Sequence, residues 1–153
     1  MPPNFFGKII ISDTSCLIAL TNIGKLDVLH QVCQTVLVTP EIAMEYGEDL
    51  PEWIVVTPVR DSEKIRLIRK NLDPGESSAI ALALETREPL LILDDAQARS
   101  YALDLGLAIT GTLGILIAAY RQGIIADLNP IIASLESCDF RLPRDLSKIL
   151  SAL

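Results

Sequence analysis

Ile9-Ile10-Ile11-Ser12-Asp13-Thr14-Ser15 opens on an unbroken β-branched run and closes on an acid and two hydroxyl residues. The same order returns at Leu90-Leu91-Ile92-Leu93-Asp94-Asp95. A run without polar alternation reads as a strand buried on both faces, the pattern of a parallel sheet covered by helices on each side. In such sheets ligand chemistry gathers just beyond the carboxyl ends of the strands. Asp13 and the Asp94–Asp95 pair therefore point to one place.

Working outward, the pattern predicts a strand at Lys8–Ser12, an apolar helix from Ser15 to Ile23 stopped by Gly24, and a second helix over Lys25–Cys33. Thr35–Val38 reads as the next strand, Pro40 as the first residue of a helix reaching Tyr46 before Gly47, and Trp53–Val56 as a strand near an edge. Asp61–Asn71 is charged and amphipathic, with Ile65, Ile68 and Leu72 for a buried stripe, and Asp73-Pro74-Gly75 breaks the chain after it. An Ala- and Leu-rich helix at Glu76–Glu85 precedes the strand Leu90–Leu93. Helix Asp95–Leu105, a short strand Leu107–Ile109 and a helix opened by Thr110-Gly111-Thr112 and running to Arg121 follow. Asp127–Ser137 is a further helix, Cys138–Leu142 an extended piece, and a last helix follows Pro143. With no repeat and no linker, the expectation is a single α/β domain over residues 1–153, three layers deep (α/β/α), with a mainly parallel central sheet.

Half the residues are hydrophobic and the mean hydropathy is +0.38, which excludes a disordered chain. The uncharged run Leu105–Tyr120 is shorter than the roughly 20 residues a membrane helix needs and is broken by Gly106, Gly111 and Gly114, so it reads as buried. Residues 1–8 lack a basic start, an apolar stretch of signal length and a cleavage site. Cys16, Cys33 and Cys138 fit neither a disulfide framework nor a zinc motif and read as small buried hydrophobes. A cytoplasmic protein without a membrane partner is the expectation. His30, the only histidine, is assigned a structural place on a helix. A net charge of −7 argues against broad electrostatic binding of nucleic acid, whereas acidic clusters are cation sites when metal binds.

Four acids fall where this organisation brings them together: Asp13 after the first strand, Glu45 on a short helix, Glu76 at a helix start and Asp95 after a later strand. Mg²⁺ and Mn²⁺ prefer carboxylate oxygen and need no Cys or His. Each acid also has an ordinary reading: Asp13 and one of Asp94 and Asp95 as helix caps, Glu76 as a complement to a helix dipole, Glu45 as a solvated residue.

Jointly, Ser12-Asp13-Thr14-Ser15, Pro40 with Glu45 five residues on, Gly75-Glu76 before an Ala-rich helix, and Leu93-Asp94-Asp95 resemble a PIN domain over nearly the whole chain. The likeness is to the compact prokaryotic branch that includes VapC-type toxins, in particular a PIN-like subgroup of uncertain function, and Gly111-Thr112-Leu113-Gly114 fits that subgroup. The resemblance implies a metal-dependent ribonuclease, the toxin of a type II toxin–antitoxin pair, with Mg²⁺ or Mn²⁺ held by Asp13, Glu45, Glu76 and Asp95. It implies Asp94 as a stand-in for Asp95 and Ser15 in support of the metal or its water; Arg99, one helical turn beyond Asp95, is placed to contact substrate phosphate or to pair with a neighbouring acid, the commoner fate of a surface Arg. Its partners would be an RNA substrate, an antitoxin protein and further copies in a homodimer or higher oligomer. Many toxins have Asp where this chain has Glu76, and Thr where it has Leu93. Two rivals stand beside this reading: a catalytically weak or inactive PIN-like binding module, and phosphate or nucleotide binding at Thr110-Gly111-Thr112-Leu113-Gly114, which lacks the Lys of a P-loop.

Overall fold

A computed structural model describes residue 5, residues 7–68, residue 70 and residues 72–153. Most of the amino-terminal stretch read for an export signal, and Arg69 and Asn71 at the end of the expected fourth helix, lie outside the described residues.

Five strands form one sheet: β1 (Ile9–Ser12), β2 (Val36–Val38), β3 (Ile54–Val56), β4 (Pro89–Ile92) and β5 (Ala108–Thr110). All pairings are parallel, in the order β3-β2-β1-β4-β5. The two apolar runs are neighbours, with Ile10 opposite Leu90 and Ser12 opposite Ile92. Ile10, Ile11, Leu90, Leu91, Ile92 and Leu93 are all at most 2% exposed, as a sheet covered on both faces requires. Burying each such side chain contributes roughly 1.5–3 kcal/mol.

From β1 the chain steps outward to β2 and β3, then returns to β4 on the other side of β1 and continues to β5. Right-handed crossovers in opposite directions place their helices on opposite faces. Helices α1 (Thr14–Asn22) and α2 (Leu26–Cys33) pack with α7 (Thr112–Arg121), while α5 (Pro74–Leu84) covers β1 and β4 with α4 (Ser62–Ile68) and α6 (Ala96–Asp104) beside it. The short α3 (Pro40–Tyr46) touches both α1 and α5. Helices α8 (Asn129–Ser137) and α9 (Leu146–Ser151) complete the chain. The three-layer α/β/α architecture and its parallel sheet are those read from the sequence.

Two local readings change. Asp73-Pro74-Gly75 begins α5 instead of breaking the chain: Asp73 accepts the Glu76 N–H (2.8 Å), the Glu76 carboxylate accepts the Asp73 N–H (3.3 Å), and Pro74 takes the first turn, where no N–H is needed. Cys138–Leu142 forms no strand. As expected, the 105–120 run is divided, between a turn after α6, β5 and α7, and among the described residues no helix is long and apolar enough to cross a membrane.

The cysteines are free. Cys16 is fully buried and burial pushes its thiol well up, with the charges of Asp94 and Asp13 adding to the effect. Burial pushes the half-buried Cys33 up to about 12, whereas Cys138 is exposed, unlike the small hydrophobe expected there. His30 donates to the Gln34 carbonyl (2.8 Å) and stacks on Trp53 with ring centroids 4.8 Å apart, a structural place.

Candidate active site

The strand order reverses between β1 and β4, and the crevice beyond a reversal point is where open parallel sheets bind ligands. Asp13 stands in it. It follows β1 directly, its N–H donates to the Ile92 carbonyl (3.0 Å), and its side chain is 3% exposed. The Cys16 N–H donates to Oδ1 (2.9 Å), which caps α1, and the Asp94 N–H donates to Oδ2 (3.0 Å) across the switch point. One side chain thus ties together the ends of the two decisive strands.

Asp94 is turned the other way. Its Oδ1 accepts the Thr112 N–H (2.8 Å) and its Oδ2 the Thr112 hydroxyl (2.6 Å). An internal carboxylate therefore fills the anion position at the start of α7, and the phosphate-binding reading of Thr110–Gly114 loses its principal donor. A Cβ on Gly111 would stand 2.9 Å from Asp94 Oδ1 and 3.1 Å from Arg99 Nη1, so only glycine fits between them.

Glu45 reaches the site from α3. Thr39 caps that helix, accepting the Ile42 N–H (3.2 Å), and its hydroxyl lies 2.6 Å from the Ser78 hydroxyl. Ser78 donates to the Gly75 carbonyl (2.8 Å), which leaves Thr39 as donor to Ser78 and locks α3 to the start of α5. The Glu45 carboxylate then lies against Gly75, in the space a Cβ there would fill, and accepts from the Thr14 hydroxyl (2.6 Å). Glu76 sits in the first turn of α5, and Asp95 caps α6 by accepting the Ala98 N–H (2.9 Å).

Electrostatics link these groups. Burial, then the charge of Asp94, push Asp13 well above the usual carboxylate range, against the pull of its two N–H donors, and Glu76 adds to the rise. Burial, then Asp73 and Asp95, push Glu76 from 4.5 up to about 7. A carboxyl raised on folding binds more protons in the native than in the unfolded state, so stability falls as pH rises between the two values. Metal-free protein is therefore expected to lose thermal stability between about pH 4.5 and pH 7, with Asp13 acting in the same sense. Glu76→Gln, which keeps the acceptor of the capping box, is expected to flatten that decline; a pH–Tm profile identical to wild type excludes the assignment.

The donor set, all carboxylate oxygen, fits a hard divalent cation. Yet among the described residues no three acids stand in an arrangement that could hold a metal ion. The cause is visible in the hydrogen bonds: Asp13, Asp94, Asp95 and Glu76 each turn oxygens onto N–H or hydroxyl donors. Clustered like charges gain from such partners. A carboxylate that accepts two hydrogen bonds retains lone pairs for a cation.

The structure thus brings Asp94 and Glu76 within electrostatic reach of Asp13, Asp95 within reach of Glu76, and Glu45 over the start of α5. Ser15 is exposed on α1 and enters none of these bonds; its neighbour Thr14 reaches the acid instead. Arg99 pairs with no acid among the described residues and donates to the Leu93 carbonyl (2.7 Å). The bonds of Thr14 to Glu45 and of Thr112 to Asp94, and the packing of Glu45 on Gly75, carry no signal in the sequence.

A family model described as PIN domain matches residues 9–153, and no curated protein matches the chain.

Proposed function

The chain belongs to the PIN-domain family, a nuclease fold, and from that premise we propose that it is a Mg²⁺- or Mn²⁺-dependent endoribonuclease. In this reading Asp13, Glu45, Glu76 and Asp95 hold the cation, with Asp94 beside them and Ser15 and Arg99 in support. The observation that carries it is Asp13: a buried carboxylate at the sheet's switch point, raised by burial and by two neighbouring acids. A hard cation bound there supplies charge neutralisation at phosphoryl oxygens and a water of lowered pKa. The chain's own part is positional. Asp13 is fixed by two backbone N–H groups, Glu45 is aimed by Thr14 and Gly75, and Arg99, anchored on Leu93, keeps guanidinium donors for a phosphate oxygen.

The same reading makes the protein a cytoplasmic type II toxin, restrained by an antitoxin and assembled as a homodimer or higher oligomer. Its expression without a partner is expected to arrest growth, and normal growth with the protein abundant and folded removes the toxin reading.

A second reading, a PIN-like binding module, is favoured by one observation: among the described residues the acids are bonded to the chain and no three of them are grouped as metal ligands would be. Incubation of end-labelled single-stranded RNA with the protein decides between them. Defined fragments that appear with Mn²⁺ and vanish with EDTA are expected; intact RNA across metals and sequences leaves the binding module.

A further inference from the structure

Resting on the nuclease reading, we infer that the cleft between α6, α7 and residues 140–149 seats one nucleotide of a single-stranded substrate, its base against an apolar wall and its phosphate on Arg99 and Arg141. The cleft has a volume of about 740 Å³ and adjoins the candidate active site through Asp94, which lines it with Arg99 and whose N–H donates to Asp13. Leu113 and Ile117 of α7 line one side, Phe140 and Leu142 the other. Volume and lining are those of a site for a small, partly apolar group with a few fixed polar contacts. An unstacked base against an aromatic ring, with a guanidinium for its phosphate, is how single-stranded RNA is commonly held.

Charge selects this occupant. The chain carries seven more acids than bases, and the ion pairs among the described residues involve Lys8, Arg60, Lys64 and Arg66. Arg99 and Arg141 are in none of them, although both border one cleft. Of the acids lining it, Asp94 already accepts twice from Thr112, and Asp145 stands at the start of α9. Two guanidiniums outside these ion pairs, beside an apolar wall that Asp94 borders, match an anion carrying a flat ring. A phosphodiester seated at Asp13 and Asp94 would leave its neighbouring nucleotide to enter this cleft.

The test uses the full chain with a labelled single-stranded RNA, measuring Mn²⁺-dependent cleavage and, in EDTA, binding by anisotropy at several salt concentrations. Arg141 is exposed, so its replacement leaves the core untouched. Arg141→Ala is expected to raise KM about threefold to tenfold with kcat within about twofold, and to reduce the slope of log affinity against log salt by about 0.7, one lost phosphate contact on a single strand. Arg141→Lys is expected to restore the slope. Phe140→Ala is expected to weaken binding about tenfold and Phe140→Trp to recover it, because stacking tolerates any ring. Unchanged KM and salt slope in both alanine variants, with wild type active, overturn the cleft assignment and leave the nuclease reading intact. RNA bound but uncleaved by wild type, with binding weakened in both variants, upholds the cleft and removes the nuclease; no binding by wild type removes both.

Discussion

Asp13→Asn is expected to lower Mn²⁺-dependent RNA cleavage by at least about a thousandfold, roughly 4 kcal/mol of barrier, in a protein that remains folded. Asp13 is the acid whose position is most completely determined, by β1, by the Cys16 N–H and by the Asp94 N–H. Asparagine keeps the shape but offers a single acceptor oxygen, so one of those two donors loses its partner, at a cost of about 1–3 kcal/mol. Removing a buried charge pressed by Asp94 and Glu76 acts in the opposite direction. The two effects oppose, and the unfolding midpoint is expected to move by only a few degrees. Initial rates and a thermal melt on one preparation check both halves, and cleavage within tenfold of wild type takes Asp13 out of the reaction.

Gly75→Ala is expected to separate activity from stability in a different way. The added methyl would occupy the space of the Glu45 carboxylate, the mobile end of an exposed side chain that can swing aside cheaply. The backbone of α5 accepts alanine more readily than glycine, so stability should stay within about 1 kcal/mol of wild type. Glu45 meanwhile leaves Thr14 and the site. Cleavage should fall by about 10- to 100-fold, approaching the loss in Glu45→Gln, and the two substitutions together should cost little more than either alone, because both remove the same carboxylate. Full activity in Gly75→Ala would show that Glu45 has no part in the chemistry.

The sheet was legible because its signal is local: two runs without a polar residue have no other soluble explanation than burial on both faces, and their acids follow immediately. Asp13, Glu76 and Asp95 stand out for the same reason, each lying next to a strand end or helix start, whereas Glu45, near the end of α3, stands out only through its spacing from Pro40 in the PIN-like pattern. What each acid bonds to does not. The Asp94 N–H meets Asp13 across 81 positions of chain, and Thr14 meets Glu45 across 31, contacts that exist only once the sheet has formed. Asp73-Pro74-Gly75-Glu76 was misread for a subtler reason: Pro and Gly punctuate loops, but Asp three residues before Glu is a capping box, and Pro suits a first helical turn. Gly75 and Gly111 are small because carboxylates lean on them, a steric demand with no trace in the residues beside them. Cys138–Leu142 has an extended pattern but no strand to pair with.

Thermal unfolding of wild type and Asp13→Asn during a Mn²⁺ titration tests the central claim, that the acids at the switch point hold a divalent cation. A cation that binds only the folded state adds about 2.7 kcal/mol at a hundredfold excess over its Kd, which for a chain of 153 residues is a rise of roughly 5–10 °C. The account predicts that rise in wild type and a flat response in Asp13→Asn. A flat response in wild type up to millimolar Mn²⁺, or an equal rise in both proteins, would contradict it.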